Sequence, residues 1–264
     1  MAAAILMMNM QGAVMAADKD QTIFRYSDDV PFALMTDPCS ILPWSDIWEE
    51  FRTSNPFADT MNYHDRVESI TLFLTSYLQR IYPDIPDDEL MSKTICVGYD
   101  SDMFPKATFL ELFPSGENIS MRVSKDDVII SRDRYVFLQA IGECTNINIL
   151  LGGFSDRIMR ALYTDINTQL ASILGAPVEL VENDSRVVDA YLNLIDDIQK
   201  DPQTKEALRY FTIKDMVAME ENLIDTENLK QSSSTTLGGS YTREIGTLTL
   251  AEGFKWIKHS LYGV

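Results

Sequence analysis

Apolar residues follow two periods in this chain, and the places where one gives way to the other mark its elements. Ala3-Ala4-Ile5-Leu6-Met7-Met8 is an unbroken apolar run of strand length. Asn9-Met10-Gln11-Gly12 is turn chemistry, and Ala13-Val14-Met15-Ala16-Ala17-Asp18 runs back. Thr22-Ile23-Phe24-Arg25-Tyr26 and Pro31-Phe32-Ala33-Leu34-Met35 predict a second hairpin, turned by Ser27-Asp28-Asp29 and ended by Asp37-Pro38. From Pro43 the period lengthens. Trp44, Ile47, Trp48 and Phe51 fall at i, i+3, i+4 and i+7, one face of a short helix whose aromatic stripe reads as core. Val67, Ile70, Leu74, Tyr77, Leu78 and Ile81 carry the same spacing through roughly Tyr63 to Tyr82, and Pro83 stops it.

Strand patterning then returns in Thr94–Gly98, Ala107–Phe113, Ile119–Val123 and Tyr135–Ala140, with Pro114-Ser115-Gly116-Glu117-Asn118 as the turn of the middle pair. Ser155-Asp156 is a helix start for a segment bearing Ile158, Leu162, Ile166 and Leu170, with Gly175 just past its end. An acidic helical piece is expected over about Ser185 to Lys200. Thr212-Ile213-Lys214-Asp215 has the capping-box pattern and opens a helix carrying Met216, Met219, Leu223 and Leu229. Ser232 to Gly239 reads as a polar loop before a closing hairpin, Thr247–Leu250 with Gly253–Ile257. Strands, helices, strands, helices and a last hairpin make an α+β order, which two sheets sandwiched between helix layers accommodate.

Composition narrows the function classes. A chain of 264 residues, 45% hydrophobic, can bury a full core. Its 22 basic and 40 acidic side chains leave a net charge of −18, which repels nucleic-acid backbones and anionic membrane surfaces. The three cysteines, Cys39, Cys96 and Cys144, are widely spaced and odd in number, so neither a disulfide framework nor a zinc knuckle is expected; each reads as a small buried side chain in a reducing cytoplasm. The apolar opening lacks a preceding Lys or Arg and is interrupted by Asn9, Gln11 and Gly12, unlike a signal peptide, and no run is long enough to span a membrane. His64 and His259 read as solvated or capping residues, since no Gly-x-Ser-x-Gly elbow accompanies them. Asp100-Ser101-Asp102 lacks the spacing of a calcium loop, and Leu151-Gly152-Gly153-Phe154 is no dinucleotide fingerprint. Neither a metal nor a cofactor is expected.

A strand that begins at residue 2 or 3 brings the amino end into the fold, beside the acid that ends the returning strand. Several strings occur in one order: Ala16-Ala17-Asp18, Pro43-Trp44, Gly98 to Phe104-Pro105, Gly153-Phe154-Ser155-Asp156, Gly238-Gly239, and Gly253 to Ile257. In that order the chain resembles the proteasome-like branch of the Ntn-hydrolase superfamily, bacterial relatives of proteasome β subunits, over nearly its whole length. The resemblance implies a four-layer αββα sandwich of two mainly antiparallel sheets between helix layers, as one domain spanning 1–264 with a helical insertion around 176–211.

It also implies a mechanism, in which a threonine hydroxyl at the first mature residue attacks an amide while its own amine acts as base. An Asp ending the second strand and a Lys opening the third tune that nucleophile. Asp18 matches the acid. The other positions do not: Ala2 has no hydroxyl, Thr22 stands where the lysine is expected, and only Lys19, Asp20 and Gln21 separate it from Asp18. Lys19 is the available substitute for that lysine. The expected function is therefore that of an Ntn-hydrolase-fold protein with impaired catalysis, acting by assembly into a homo-oligomer or ring or by binding a protein partner. The alternative is an active amino-terminal-threonine peptidase or amidohydrolase in which Ala2 replaces the native nucleophile.

Overall fold

A computed structural model describes residues 2–19, 21–27, 30–40, 42–58, 60–81, 92–115, 118–123, 128–131, 134–142, 144, 147, 156–182, 185–187, 202–232 and 243–259. The chain divides into two compact units, Met1–Cys144 with Arg209–Val264, and Thr145–Leu208. In the first unit the order is β1 (Ala3–Asn9), β2 (Gly12–Ala17), β3 (Ile23–Arg25), β4 (Phe32–Thr36), α1 (Trp44–Ser54), α2 (Tyr63–Ile81), β5 (Lys93–Tyr99), β6 (Pro105–Ser115), β7 (Asn118–Val123), β8 (Val128–Ile129) and β9 (Val136–Gly142). The second unit holds α3 (Asp156–Leu174), α4 (Val178–Glu182) and α5 (Pro202–Arg209), the last ending at the boundary. The first unit resumes with α6 (Ile213–Ser232), β10 (Glu244–Thr249) and β11 (Gly253–Lys258).

One sheet runs β11-β10-β2-β1-β9 and the other β3-β4-β5-β6-β7, with β8 also paired to β6; neighbouring strands are antiparallel throughout. Strand alternation sorts their side chains into two cores. Leu6, Met8 and Met15 of the first sheet meet Ile23, Ala33, Met35, Ile95 and Val97 of the second, so the sheets lie face to face. On its other side the second sheet turns Phe32, Leu34, Cys96 and Leu110 to Trp44, Ile47, Trp48 and Phe51 of α1 and Tyr63, Val67, Ile70 and Leu74 of α2. The opposite side of the first sheet is covered by α6, which packs on β1 and β2. The result is the expected four-layer αββα sandwich, an α+β fold.

Where element positions differ from the sequence expectation, the causes are local. Ser115 pairs with Asn118, so the β6–β7 connection is two residues long and the strands run through Pro114. Strand β8 escapes a periodicity reading because two residues cannot display a period. The helix over 156–174 ends as expected, with Gly175 at φ +63° and the Ala176 N–H donating to the Ala171 carbonyl at 3.0 Å. Most of the acidic piece over 185–200 and the loop 233–239 lie outside the described residues. Cys96 and Cys144 are buried as expected; Cys39 is exposed, because it follows Pro38 in the turn after β4 rather than lying in an element.

Candidate functional site

Register builds the site. Ala4 pairs with Ala17, which leaves Ala3 opposite Asp18 at the open end of the β1–β2 hairpin. The Ala3 N–H donates to Asp18 Oδ1 at 2.8 Å, and the Asp18 N–H donates back to the Ala3 carbonyl at 3.1 Å. Asp18 is only 8% exposed, and its Oδ2 has no hydrogen-bond partner among the described residues. Burial pushes its pKa above the ordinary carboxylate value; the Ala3 N–H opposes that rise and the charge of Glu227 adds to it. The carbonyl of the same Ala2–Ala3 peptide accepts the Cys39 thiol at 3.3 Å. That peptide is therefore held from both sides, by a carboxyl on its N–H and by a thiol on its C=O. Met1 lies outside the described residues.

Lys19 and Thr22 take other roles. Lys19 is exposed, and its Nζ donates to the Pro38 carbonyl at 2.7 Å. Thr22 is buried, its hydroxyl donating to the Lys19 carbonyl at 2.9 Å and its N–H to Glu244 at 3.1 Å. Thus Ala2 and Asp18 meet through the intervening peptide, whereas the Lys19 ammonium is engaged by the chain after β4 and the Thr22 hydroxyl by the turn that precedes it.

The group that shapes this short turn comes from the far end of the chain. Glu244, 1% exposed at the start of β10, accepts the N–H groups of Gln21, Thr22 and Ile23 at 3.0, 3.1 and 3.1 Å. Gln21 adopts φ +60°, a strained conformation for a side-chain-bearing residue that the three bonds hold in place. Desolvation raises the Glu244 pKa against those donors and against His259, whose Nδ1 lies 3.3 Å from Glu244 Oε1. His259 in turn stacks on Trp256 at 4.1 Å between ring centroids. This histidine thus sits on a buried carboxyl rather than being simply solvated.

Gly142 closes the wall beside residue 2. Its φ of +86° belongs to the region glycine favours, and a Cβ there would lie 2.5 Å from the Ala2 carbonyl oxygen and 2.9 Å from Pro38 Cγ. Gly142, Pro38 and Cys39 are thus part of the site, although from sequence Asp37-Pro38 signals only the end of a strand. Chemically, Ala2 offers a methyl group and Asp18 a buried carboxyl that accepts the Ala3 N–H. Cys39 brings a nucleophilic atom to residue 2, but uses its S–H on the Ala2 carbonyl, while its backbone N–H is tied to Asp37 Oδ1 at 2.8 Å. Among the described residues no group of three or more His, Cys, Asp or Glu side chains could hold a metal ion. Asp100 and Asp102 instead receive Lys106 Nζ at 3.4 and 2.8 Å. No described helix is long and apolar enough to cross a membrane.

No protein-family model matches the chain, and no curated protein does. Among solved structures, the chain is similar to Anbu (ancestral beta-subunit) from Yersinia bercovieri, with a TM-score of 0.49 and 10% identity, covering 97% of this chain and 87% of that one. It is similar to Anbu from Hyphomicrobium sp. strain MC1 with a TM-score of 0.45, 10% identity and the same coverage. The helical assembly of the Anbu complex from Pseudomonas aeruginosa scores 0.39 at 12% identity, covering 66% of this chain and 77% of that one.

Proposed function

We propose that this chain is a proteasome-like Ntn-hydrolase-fold protein that has lost amino-terminal threonine catalysis and works through assembly or protein binding. One observation carries the reading: the Ala2–Ala3 peptide lies at the open end of the β1–β2 hairpin, tied to Asp18 and Cys39, with a methyl group in place of a hydroxyl. Covalent catalysis needs an attacking atom with a base beside it. Here the acid serves as a backbone acceptor, the nearby ammonium is bonded to Pro38, and the expected lysine position is Thr22, buried under Glu244. Loss of a nucleophile costs several orders of magnitude in rate, on the order of 10³ or more, even when the surroundings persist. In this reading residues 1–264 form one domain with a helical insertion around 176–211, it resides in the cytoplasm, and its partners are copies of itself or another protein.

The test is to restore the missing atom. Ala2→Thr, produced with Met1 removed, is assayed against a peptide-amide probe and an inhibitor selective for amino-terminal threonine. The proposal expects silence in both assays from a folded protein, because Thr22 also stands where the lysine is expected. Hydrolysis or labelling would overturn it in favour of the active peptidase or amidohydrolase. Mass photometry tests the assembly half: species larger than the 29.9 kDa chain are expected, and a monomer alone counts against it.

A further inference from the structure

The inner face of α6 is made of Met216, Glu220, Leu223, Ile224 and Glu227, all at most 6% exposed. It rests on β1 and β2, whose side chains turned away from the sheet–sheet core include Ile5, Met7, Val14 and Ala16. Glu220 is 0% exposed in this apolar setting, and among the described residues neither of its carboxyl oxygens has a hydrogen-bond partner. Ionising an unpaired carboxyl so placed is strongly disfavoured, and a group with that choice takes up a proton instead.

Among the described residues the groups facing it supply no counter-charge. Neither β1 nor β2 carries an ionisable side chain. Asp18, one residue past β2, repels Glu227. Glu244 of β10 is engaged by the 21–23 turn. On α6 itself Lys214 and Asp215 are exposed in the first turn. Asp225 is paired with Arg243, and Glu221 with Lys258.

We propose that α6 is a proton-dependent latch on the first sheet: it docks with Glu220 neutral and loosens when Glu220 ionises, uncovering Ile5, Met7 and Val14. Desolvation holds the Glu220 pKa well above its ordinary value of 4.5, with only the Met7 peptide N–H opposing it, short of bonding geometry. A raised carboxyl pKa in the folded state sets the sign. The stabilisation is fully present below the unfolded value and is lost as pH rises through the folded one. Attachment of α6 therefore weakens towards alkaline pH, by at most roughly tenfold per pH unit between the unfolded and folded values.

The experiment is amide hydrogen exchange on the full chain at about pH 5 and about pH 8, expressed as protection factors so that intrinsic rates cancel. Helix α2, which lies on the other sheet, is the internal reference. In the wild type, protection of α6 amides is expected to fall at least about tenfold relative to α2 across that range. Glu220→Gln should flatten the fall, and Glu220→Met, which needs no partner, should do the same. The proposal is overturned if α6 and α2 lose protection together, or if either variant keeps the wild-type fall. It is also overturned if both variants fail to fold at every pH, since Glu220 would then be an indispensable bonded group.

Discussion

Two helix layers cover the two sheets, and they are made of opposite materials. Against the second sheet, α1 and α2 set rings into rings: Trp48 stacks on Phe51 at 5.4 Å, Phe51 meets Phe73 edge-on at 5.2 Å, and Phe32 tilts over Tyr63 at 5.8 Å. The polar tips there are largely bonded, with Tyr63 Oη donating to the Cys96 carbonyl at 2.9 Å and Trp48 Nε1 to the Arg25 carbonyl at 3.0 Å. Among the described residues Trp44 Nε1 has no acceptor, yet an indole N–H cannot acquire a charge, so its cost is the same at every pH. Against the first sheet, α6 sets the Glu220 carboxyl into a bed of Ile, Met, Val and Ala. Among the described residues the ring layer holds no unpartnered buried carboxyl, whereas the α6 layer holds one, at Glu220. Burial alone does not make a helix layer permanent.

The comparison breaks first if the aromatic layer is not the stronger of the two. Phe51 is 1% exposed at the meeting point of Tyr26, Trp48, Phe57 and Phe73. Phe51→Ala should therefore cost about 3–5 kcal/mol in urea unfolding, with the same loss at acidic and neutral pH. A loss that varied with pH would mean that this layer too contains a titrating element.

A smaller effect tests how closely the aromatic layer is packed. Gly98 of β5 lies under Phe32 and Tyr63, and a Cβ there would approach the Cδ2 atoms of both rings to 2.9 Å. Both rings are buried, so neither can swing into solvent. Gly98→Ala should cost about 1–3 kcal/mol as overpacking, measured by thermal or urea unfolding. A neutral result would show that the ring layer is softer than its geometry implies.

These two layers also differ in how far the sequence announces them. The face of α1 was legible because apolar residues at helical spacing have one good use, and all four of Trp44, Ile47, Trp48 and Phe51 are buried. The face of α6 was not. Spacing picked out Met216, Met219, Leu223 and Leu229, but the helix is rotated so that Met219 is half-buried and Glu220 is fully inside. A carboxyl counts as outward in any amphipathic reading, so a helix that buries one misleads the pattern. At the candidate site, the Ala3–Asp18 juxtaposition followed from a hairpin closed over Asn9 and Gly12, where register is local. Glu244 was invisible for the opposite reason, since its three hydrogen bonds reach more than 220 residues back along the chain. Pro38 and Gly142 meet beside Ala2 through contacts that no nearby spacing encodes.

The ends of α1 and α6 reverse the contrast between their faces. Helix α1 begins after Pro43 with no side-chain cap bond, so its hold lies in the aromatic stripe. Helix α6 begins at a closed capping box: the Thr212 N–H and hydroxyl donate to Asp215 Oδ2 at 2.9 and 2.7 Å, and the Asp215 N–H donates to Thr212 Oγ1 at 3.3 Å. The Thr212 hydroxyl, more than any other group, holds the Asp215 pKa below its ordinary value. The sign is opposite to that of Glu220. A lowered carboxyl pKa gives stabilisation that is present above the unfolded value and lost as pH falls through the folded one. The cap thus weakens in acid and the inner face weakens in base, so α6 should be held best at mildly acidic pH. Thr212→Ala should lower α6 exchange protection roughly severalfold near pH 6, and visibly less at a pH below the ordinary Asp range. An equal cost at both would separate the cap from Asp215 ionisation and leave Glu220 alone as the source of any pH dependence in this helix.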